Sequence, residues 1–112
     1  MQDRRAEARM LCADMVEVTW TAGGVRHPVD TALLEDISPS GACLQLEEAA
    51  PVGASITWKL GGYSFAGKVR YCAYREIGYF IGVEFAPGLK WSQTELEPQH
   101  LLDLQKLALS RG

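Results

Sequence analysis

The stretch LLEDISPSGACLQL, residues 33–46, contains two apolar segments that are separated by a short polar one. Apolar runs of this length, bounded by proline, serine and glycine, are typical of two β-strands joined by a turn. Side chains alternate between the two faces of a strand, so Asp36 and Ser38 should share one face. Leu33 and Ile37 should share the opposite, inner face. We therefore expect a carboxylate and a hydroxyl side by side on the outer surface of a sheet.

The polar segment also has a purely structural explanation. Pro39 restricts the backbone and Gly41 is a common turn residue, so a type I turn or an Asx turn accounts for the sequence without a ligand. Glycine also accepts positive φ and leaves room for another molecule to approach the backbone, which would suit Gly41 to a binding site. On this stretch alone the turn is the favoured interpretation.

Most of the remaining chain alternates between apolar and polar residues with a period of two, which predicts strands with one face in a core. The inward-facing positions are Val16, Val18 and Trp20, then Ile56, Trp58 and Leu60, and then Tyr79, Ile81, Val83 and Phe85. A longer segment, 63–74, places Phe65, Val69 and Tyr71 on one predicted face. Glycine and proline clusters between these runs supply the turns.

Six short strands at close spacing predict an all-β domain, either an antiparallel barrel or a sandwich, rather than a parallel βαβ fold. Closing the sheet is the simplest way to remove exposed edges from so small a domain. We therefore expect one domain over residues 1–112 with a six-stranded antiparallel β-barrel at 13–88. A short polar arm at 1–12, mobile without ligand, should precede the barrel.

The period of the pattern changes near the C-terminus. Ser92 and Glu95 fit a helix-capping pattern, and Pro98 suits the first turn of a helix. Leucines at positions 101, 104 and 107 then form the apolar stripe of a C-terminal α-helix over 92–110. The favoured role for this helix is to cover an open end of the barrel, and binding a partner is the alternative.

The overall composition argues against several classes of function. The net charge of −3 disfavours a nucleic-acid binder, including a small barrel for single strands, which needs a basic groove. No apolar run is long enough to span a membrane, and no secretory signal is present. Cys12, Cys43 and Cys72 are widely spaced and odd in number, which favours reduced thiols in the cytoplasm over disulfides or a zinc site. No catalytic set of residues can be assembled, so we do not expect an enzyme.

Arginines are concentrated in the segment RRAEAR, residues 4–9. Arg5 and Arg9 are four positions apart, which puts both on one side of either a helix or an extended chain. Guanidinium groups bind phosphate through paired hydrogen bonds and also stack on bases. Taken alone, this spacing is explained more simply by a solvated terminus.

Together, the arginines and the polar turn resemble a known family. The segment RRAEAR at 4–9, followed by DISPSG at 36–41, is similar to the PilZ domain, whose pattern is RxxxR, then a strand, then (D/N)xSxxG. The alternating strands, the segment IGVEF at 81–85 and the predicted terminal helix also match the layout of that family, which is a split β-barrel. The resemblance covers essentially the whole chain.

The resemblance implies a function. PilZ domains are bacterial receptors for the second messenger cyclic di-guanosine monophosphate (cyclic di-GMP), which they bind without a cofactor or metal. The ligand-binding residues it implies here are Arg5, Arg9, Asp36, Ser38 and Gly41, with Arg4 as a secondary candidate. The messenger would be relayed to a downstream protein that the sequence does not identify, with no role for DNA, RNA or membrane insertion.

The chemistry of these residues suits that ligand. Arginines would neutralise its two phosphates, and the Asp36 carboxylate would accept the adjacent N–H donors on the edge of guanine. Ser38 could donate to a base or phosphate oxygen. The ligand would then bridge the arm and the barrel, ordering the arm and changing the surface offered to a partner. Arg70, Tyr71 and Tyr74 lie on a strand that could flank the ligand, but neither motif reaches them.

The alternative function is a protein-interaction module on the same fold that does not bind nucleotide. Some PilZ domains act in this way and lack the arginines. All five motif positions are intact in this chain, which favours the receptor.

Overall fold

Antiparallel strands make up most of the chain that the structure describes, which is residues 9–91 without the side chain of Asp30. The strands of this computed structural model are β1 (Met10–Ala22), β2 (Val25–Ser38), β3 (Gly41–Leu46), β4 (Ser55–Leu60), β5 (Tyr63–Arg75) and β6 (Gly78–Phe85). Hydrogen-bonded neighbours follow the order β1-β2-β3-β6-β5-β4, and the sheet closes on itself. The predicted all-β, six-stranded antiparallel barrel is confirmed. The predicted helix at 92–110 lies outside the described residues.

The pairing of β1 with β2 begins at Met10 and Ile37, which is earlier in β1 than the sequence predicts. Positions 10–12 therefore belong to the barrel and not to the arm predicted at 1–12. Positions 1–8 of that arm lie outside the part of the chain that the structure describes. The last strand stops at Phe85, close to the predicted limit at 88.

The interior of the barrel is filled by side chains from all six strands. Fully buried aliphatic side chains include Val18, Leu34, Ile37, Leu44, Ile56, Val69 and Ile81. Each such burial stabilises the fold by about 1.5–3 kcal/mol relative to exposure. The rings of Trp58, Phe65 and Phe85 form an aromatic cluster, with centroids 5.4–6.0 Å apart. The predicted core role of Trp58 is therefore confirmed.

Some positions that the alternation assigns to the core lie only at its edge. Trp20, Leu60 and Tyr79 are partly buried and pack against the buried cluster without joining it. The indole of Trp20 also stacks on the ring of His27, with centroids 3.9 Å apart. The prediction that Trp20 is a core residue is therefore only partly right, because one face of its ring is used by a neighbour at the end of the barrel.

Two β-bulges reverse the predicted facing of residues in β2 and β5. A register shift between Leu34 and Asp36 turns Leu34 inward and leaves Leu33 only partly buried. A second shift, between Val69 and Tyr71, turns Tyr71 outward, where 45% of its surface is exposed. A bulge adds one residue to one strand, so the alternation before the bulge is out of phase with the alternation after it. The predictions that Leu33 and Tyr71 face the core are wrong for this reason.

Close contact between β5 and β6 depends on Gly67, which is buried in the middle of β5. A β-carbon at this position would collide with the backbone carbonyl oxygen of Glu84 and lie 2.9 Å from Cγ1 of Val83. We expect Gly67→Ala to lower the free energy of unfolding in urea by about 1–3 kcal/mol, the usual effect of overpacking. Ser64→Ala, at an exposed position of the same strand, should change it by less than about 0.5 kcal/mol. Equal stability of the two variants would contradict this account of strand contact.

Candidate functional site

An ion pair joins the two sequence motifs on the outside of the barrel. Nη1 of Arg9 lies 2.7 Å from Oδ1 of Asp36 and donates a hydrogen bond to it. Asp36 lies opposite Leu11, and Arg9 directly precedes β1, so the antiparallel pairing of β1 with β2 brings the two charges together. The side chains are 45% and 17% exposed, so a ligand in solution can reach both. Arg4 and Arg5, the other predicted arginines, lie outside the described residues.

The alternation correctly predicts that Ser38 shares a face of β2 with Asp36, but Ser38 is not accessible there. It is buried, with 4% of its surface exposed. Its hydroxyl donates a hydrogen bond to the backbone carbonyl oxygen of Gly41, at 3.2 Å. The hydroxyl therefore serves to close the turn between β2 and β3.

Gly41 is also used differently from the prediction. Its φ is not positive, and it pairs with Ser38 as the first residue of β3. A β-carbon here would lie only 2.5 Å from the carbonyl oxygen of Val83 in β6. Glycine is required at this position because the backbone of β6 occupies the space of a side chain. The sequence suggested that Gly41 leaves room for a ligand, but the group that approaches its backbone is β6 of the same protein.

The turn formed by Pro39 and Ser40 is held by two further backbone hydrogen bonds. The amide of Phe85 donates to the Ser40 carbonyl at 2.8 Å, and the amide of Trp91 donates to the Pro39 carbonyl at 2.9 Å. No described residue other than glycine has positive φ, which excludes a turn that needs a left-handed residue here. These hydrogen bonds fix the turn at Pro39 and Ser40, and the turn gives Asp36 a fixed support.

Several acidic groups lie close together around Asp36. Burial, and then the charges of Asp14, Asp36 and Glu35 in that order, together raise the pKa of Cys12 to about 12. Burial also raises the pKa of Glu35, with a smaller contribution from Asp36. This corner of the barrel therefore attracts hydrogen-bond donors and cations, and Arg9 is the cation that contacts Asp36.

A row of paired residues continues from Asp36 across the outer wall. Asp36 is opposite Cys43 in β3, Cys43 is opposite Gly82 in β6, and Gly82 is opposite Tyr71 in β5. The hydroxyl of Tyr71 donates to Sγ of Cys43 at 3.8 Å. Burial is the main cause that raises the pKa of Tyr71 to about 12, and the charge of Cys43 and its hydrogen bond add to the increase. The phenol is therefore neutral at physiological pH.

Neither motif identified Tyr71 as part of this surface. The bulge in β5 moves it to the outer face, and a period-two pattern does not reveal where a bulge occurs. One signal was available, because Gly82 interrupts the strand IGVEF. A glycine inside a strand often marks a place where another group approaches the backbone closely.

Within residues 9–91, no group of three or more histidine, cysteine, aspartate or glutamate side chains is arranged to hold a metal ion. The same residues include no helix with the length and apolarity that crossing a membrane requires.

The three thiols should differ in reactivity. Burial raises the pKa of Cys43 to about 11 and that of Cys12 to about 12, so almost none of either is thiolate at pH 8. Cys72 is only partly buried. Because the thiolate is the reactive form, we expect a disulfide reagent such as Ellman's reagent to modify Cys72 first and the other two only on unfolding. Cys72→Ser should remove the fast phase; three equally fast thiols would contradict the described burial.

Comparison with protein-family models identifies a family for this chain. The model described as the PilZ domain matches residues 3–103, a range that contains both motifs and all six strands. No curated protein matches the chain. Since the matched range covers most of the sequence, the chain belongs to the PilZ domain family.

Proposed function

We propose that this chain is a bacterial receptor for cyclic di-GMP that acts in the cytoplasm and is not an enzyme. Membership of a family known to bind this messenger supports the ligand. The observation that carries the proposal is the solvent-accessible pair of Arg9 and Asp36. Arg9 can donate hydrogen bonds to a phosphate, and Asp36 beside it can accept them from guanine. In this proposal Arg5 and Arg9 bind phosphate, and Arg4 contributes secondarily.

Arg9 is well suited to exchange partners when the ligand arrives. Its guanidinium bonds to Asp36 through Nη1 only, which leaves other donors for a phosphate. An ion pair as exposed as this one contributes little to stability, about 0–1 kcal/mol, so breaking or sharing it costs little. The pair holds both side chains near the bound position, which lowers the ordering cost of binding.

Asp36 would supply selectivity for guanine. A carboxylate accepts the two adjacent N–H groups on the Watson–Crick edge of guanine, whereas adenine presents an acceptor at one of those positions. The wrong base would therefore leave a partly buried carboxylate oxygen without a partner, which is the effective way to reject an analogue.

Ser38 and Gly41 would contribute to binding mainly by fixing the conformation of the turn between β2 and β3. The Ser38 hydroxyl donates within the turn, and Gly41 lies against β6, so both support the position of Asp36. Direct contact of Ser38 with a base or phosphate is not needed for the proposal. We infer that replacing either residue would weaken binding by moving the turn.

The relay to an unidentified downstream protein would depend on the segment before β1. A ligand that bridges Arg5, Arg9 and the barrel would order this segment and change the surface beside it. Met10 and Leu11 are already paired with β2, so the change would be confined to earlier positions.

Hydrogen exchange tests the relay. We expect amides at positions 4–9 to exchange more slowly when cyclic di-GMP is bound, because the ligand ties them to the barrel. Amides at 18–21 should serve as the internal control and change little, since this part of β1 is paired with β2 on one edge and with β4 on the other. Unchanged exchange at 4–9 in the saturated protein would rule out ordering as the signal while leaving binding intact.

Calorimetric titration tests the ligand itself. We expect cyclic di-GMP to bind with micromolar or tighter affinity, a free energy of about 8 kcal/mol or more. Arg9→Ala and Asp36→Ala should each weaken binding by about 1–3 kcal/mol through the loss of charge-assisted hydrogen bonds. Cyclic di-adenosine monophosphate should bind the native protein much more weakly.

Arg26→Ala is the matched control for this titration. Arg26 is an exposed arginine near the opposite end of β1, where it pairs with Thr21. Its removal changes the net charge by the same amount and should leave the affinity unchanged. Absence of heat at saturating ligand would reject the receptor and favour the interaction module that binds no nucleotide. Binding that survives both Arg9→Ala and Asp36→Ala would mean that the ligand occupies another surface.

A further inference from the structure

The ring of Tyr71 lies flat on the outer wall of the barrel. A β-carbon added at Gly82 would fall on this ring, nearest to Cε2 and almost equally far from the two ring neighbours of that atom, Cδ2 and Cζ. Both neighbours are only slightly more distant than Cε2, so the point lies above the plane of the ring and not beyond its edge. One face of the phenol therefore rests on the backbone of β6, in the space that glycine leaves free.

The opposite face of the ring is open to solvent. Tyr71 keeps 45% of its surface exposed although one face is covered. The hydroxyl is held across β6 by its hydrogen bond to Cys43, so the orientation of the ring is fixed at both ends. An aromatic face that is already immobilised loses little conformational freedom when something stacks on it.

Tyr71 and the ion pair share the same wall. The row of paired residues runs from Tyr71 through Gly82 and Cys43 to Asp36, and adjacent strands lie about 4.8 Å apart. The charges of Arg9 and Asp36 both act on the Tyr71 hydroxyl, which is consistent with this short separation. A purine placed over the ring would therefore have its edge directed along the row toward Asp36.

Other exposed tyrosines do not have this arrangement. Tyr74 is 64% exposed and packs against the ring of Tyr79, with centroids 5.1 Å apart at 59°. It lies opposite Tyr79 near the hairpin that joins β5 to β6, several residues away from the row that contains Asp36. Tyr74 therefore serves as an internal comparison for Tyr71.

We propose that Tyr71 is the stacking platform for a guanine base of the ligand and that Gly82 positions it by leaving room for the ring. This inference rests on the proposed function and adds a specificity-determining contact that lies outside both sequence motifs. Stacking holds the base flat against the wall, and Asp36 reads its edge. Because every base has an aromatic face, stacking supplies affinity, whereas the carboxylate supplies the choice of guanine.

Titration of cyclic di-GMP into four variants tests the platform. Tyr71→Leu removes the aromatic face and should weaken binding about tenfold or more. Tyr71→Phe keeps the ring but loses the hydrogen bond to Cys43, so it should lose far less affinity than Tyr71→Leu. Gly82→Ala keeps the tyrosine but forces the ring off the wall, so it should also weaken binding. Tyr74→Leu is the matched control and should have no effect.

A spectroscopic measurement accompanies the titration. When a base stacks on Tyr71, its ring current should move the aromatic proton signals of this residue in the NMR spectrum of the native protein, while those of Tyr74 stay in place. This readout uses the unmodified chain, so it decides the question even if a variant at position 71 or 82 fails to fold.

The outcomes separate the two proposals. If Arg9→Ala weakens binding but Tyr71→Leu and Gly82→Ala bind like the native protein, the platform is rejected and the receptor stands. Unshifted Tyr71 signals at saturating ligand would reject the platform in the same way. If the native protein binds no cyclic di-GMP, both proposals fall together.

Discussion

The close approach of β3 to β6 at Gly41 is the constraint on which the rest of this structure depends. The Val83 carbonyl oxygen occupies the space that a side chain at position 41 would need. That contact lets β3 pair with β6, one of the two pairings that join strands distant in sequence and so close the barrel. The turn between β2 and β3 is fixed by the same contact, and Asp36 takes its position from that turn.

The ion pair of Arg9 and Asp36 and the turn between β2 and β3 have different roles. Ser38 and Gly41 are satisfied by the protein itself, through a hydrogen bond and a backbone contact. Asp36 and Arg9 are satisfied by each other on an accessible surface, at low cost to exchange. In the (D/N)xSxxG pattern, Asp36 is therefore the residue whose side chain can contact a ligand, and Ser38 and Gly41 hold it in place. This division of roles explains why the spacing between the three residues matters.

The sequence was sufficient for the number of strands, the closed barrel and the proximity of the two motifs. Period-two alternation is a sound guide wherever a ladder is regular, as in β4 and β6. It failed at Leu33 and Tyr71 because a bulge shifts the register by one residue and leaves no mark in the composition. The sequence also could not predict why position 41 requires glycine, since a glycine in a sequence does not indicate whether it is needed for positive φ or for space.

The hydrogen bond from the Trp91 amide to the Pro39 carbonyl connects the turn between β2 and β3 to the end of the described chain. Trp91 is buried, and its backbone is tied to the same two-residue turn that supports Asp36. A ligand that moved that turn would therefore also pull on the backbone at position 91, from which the chain continues. The turn that supports Asp36 and the backbone at position 91 are thus joined directly, with no strand between them.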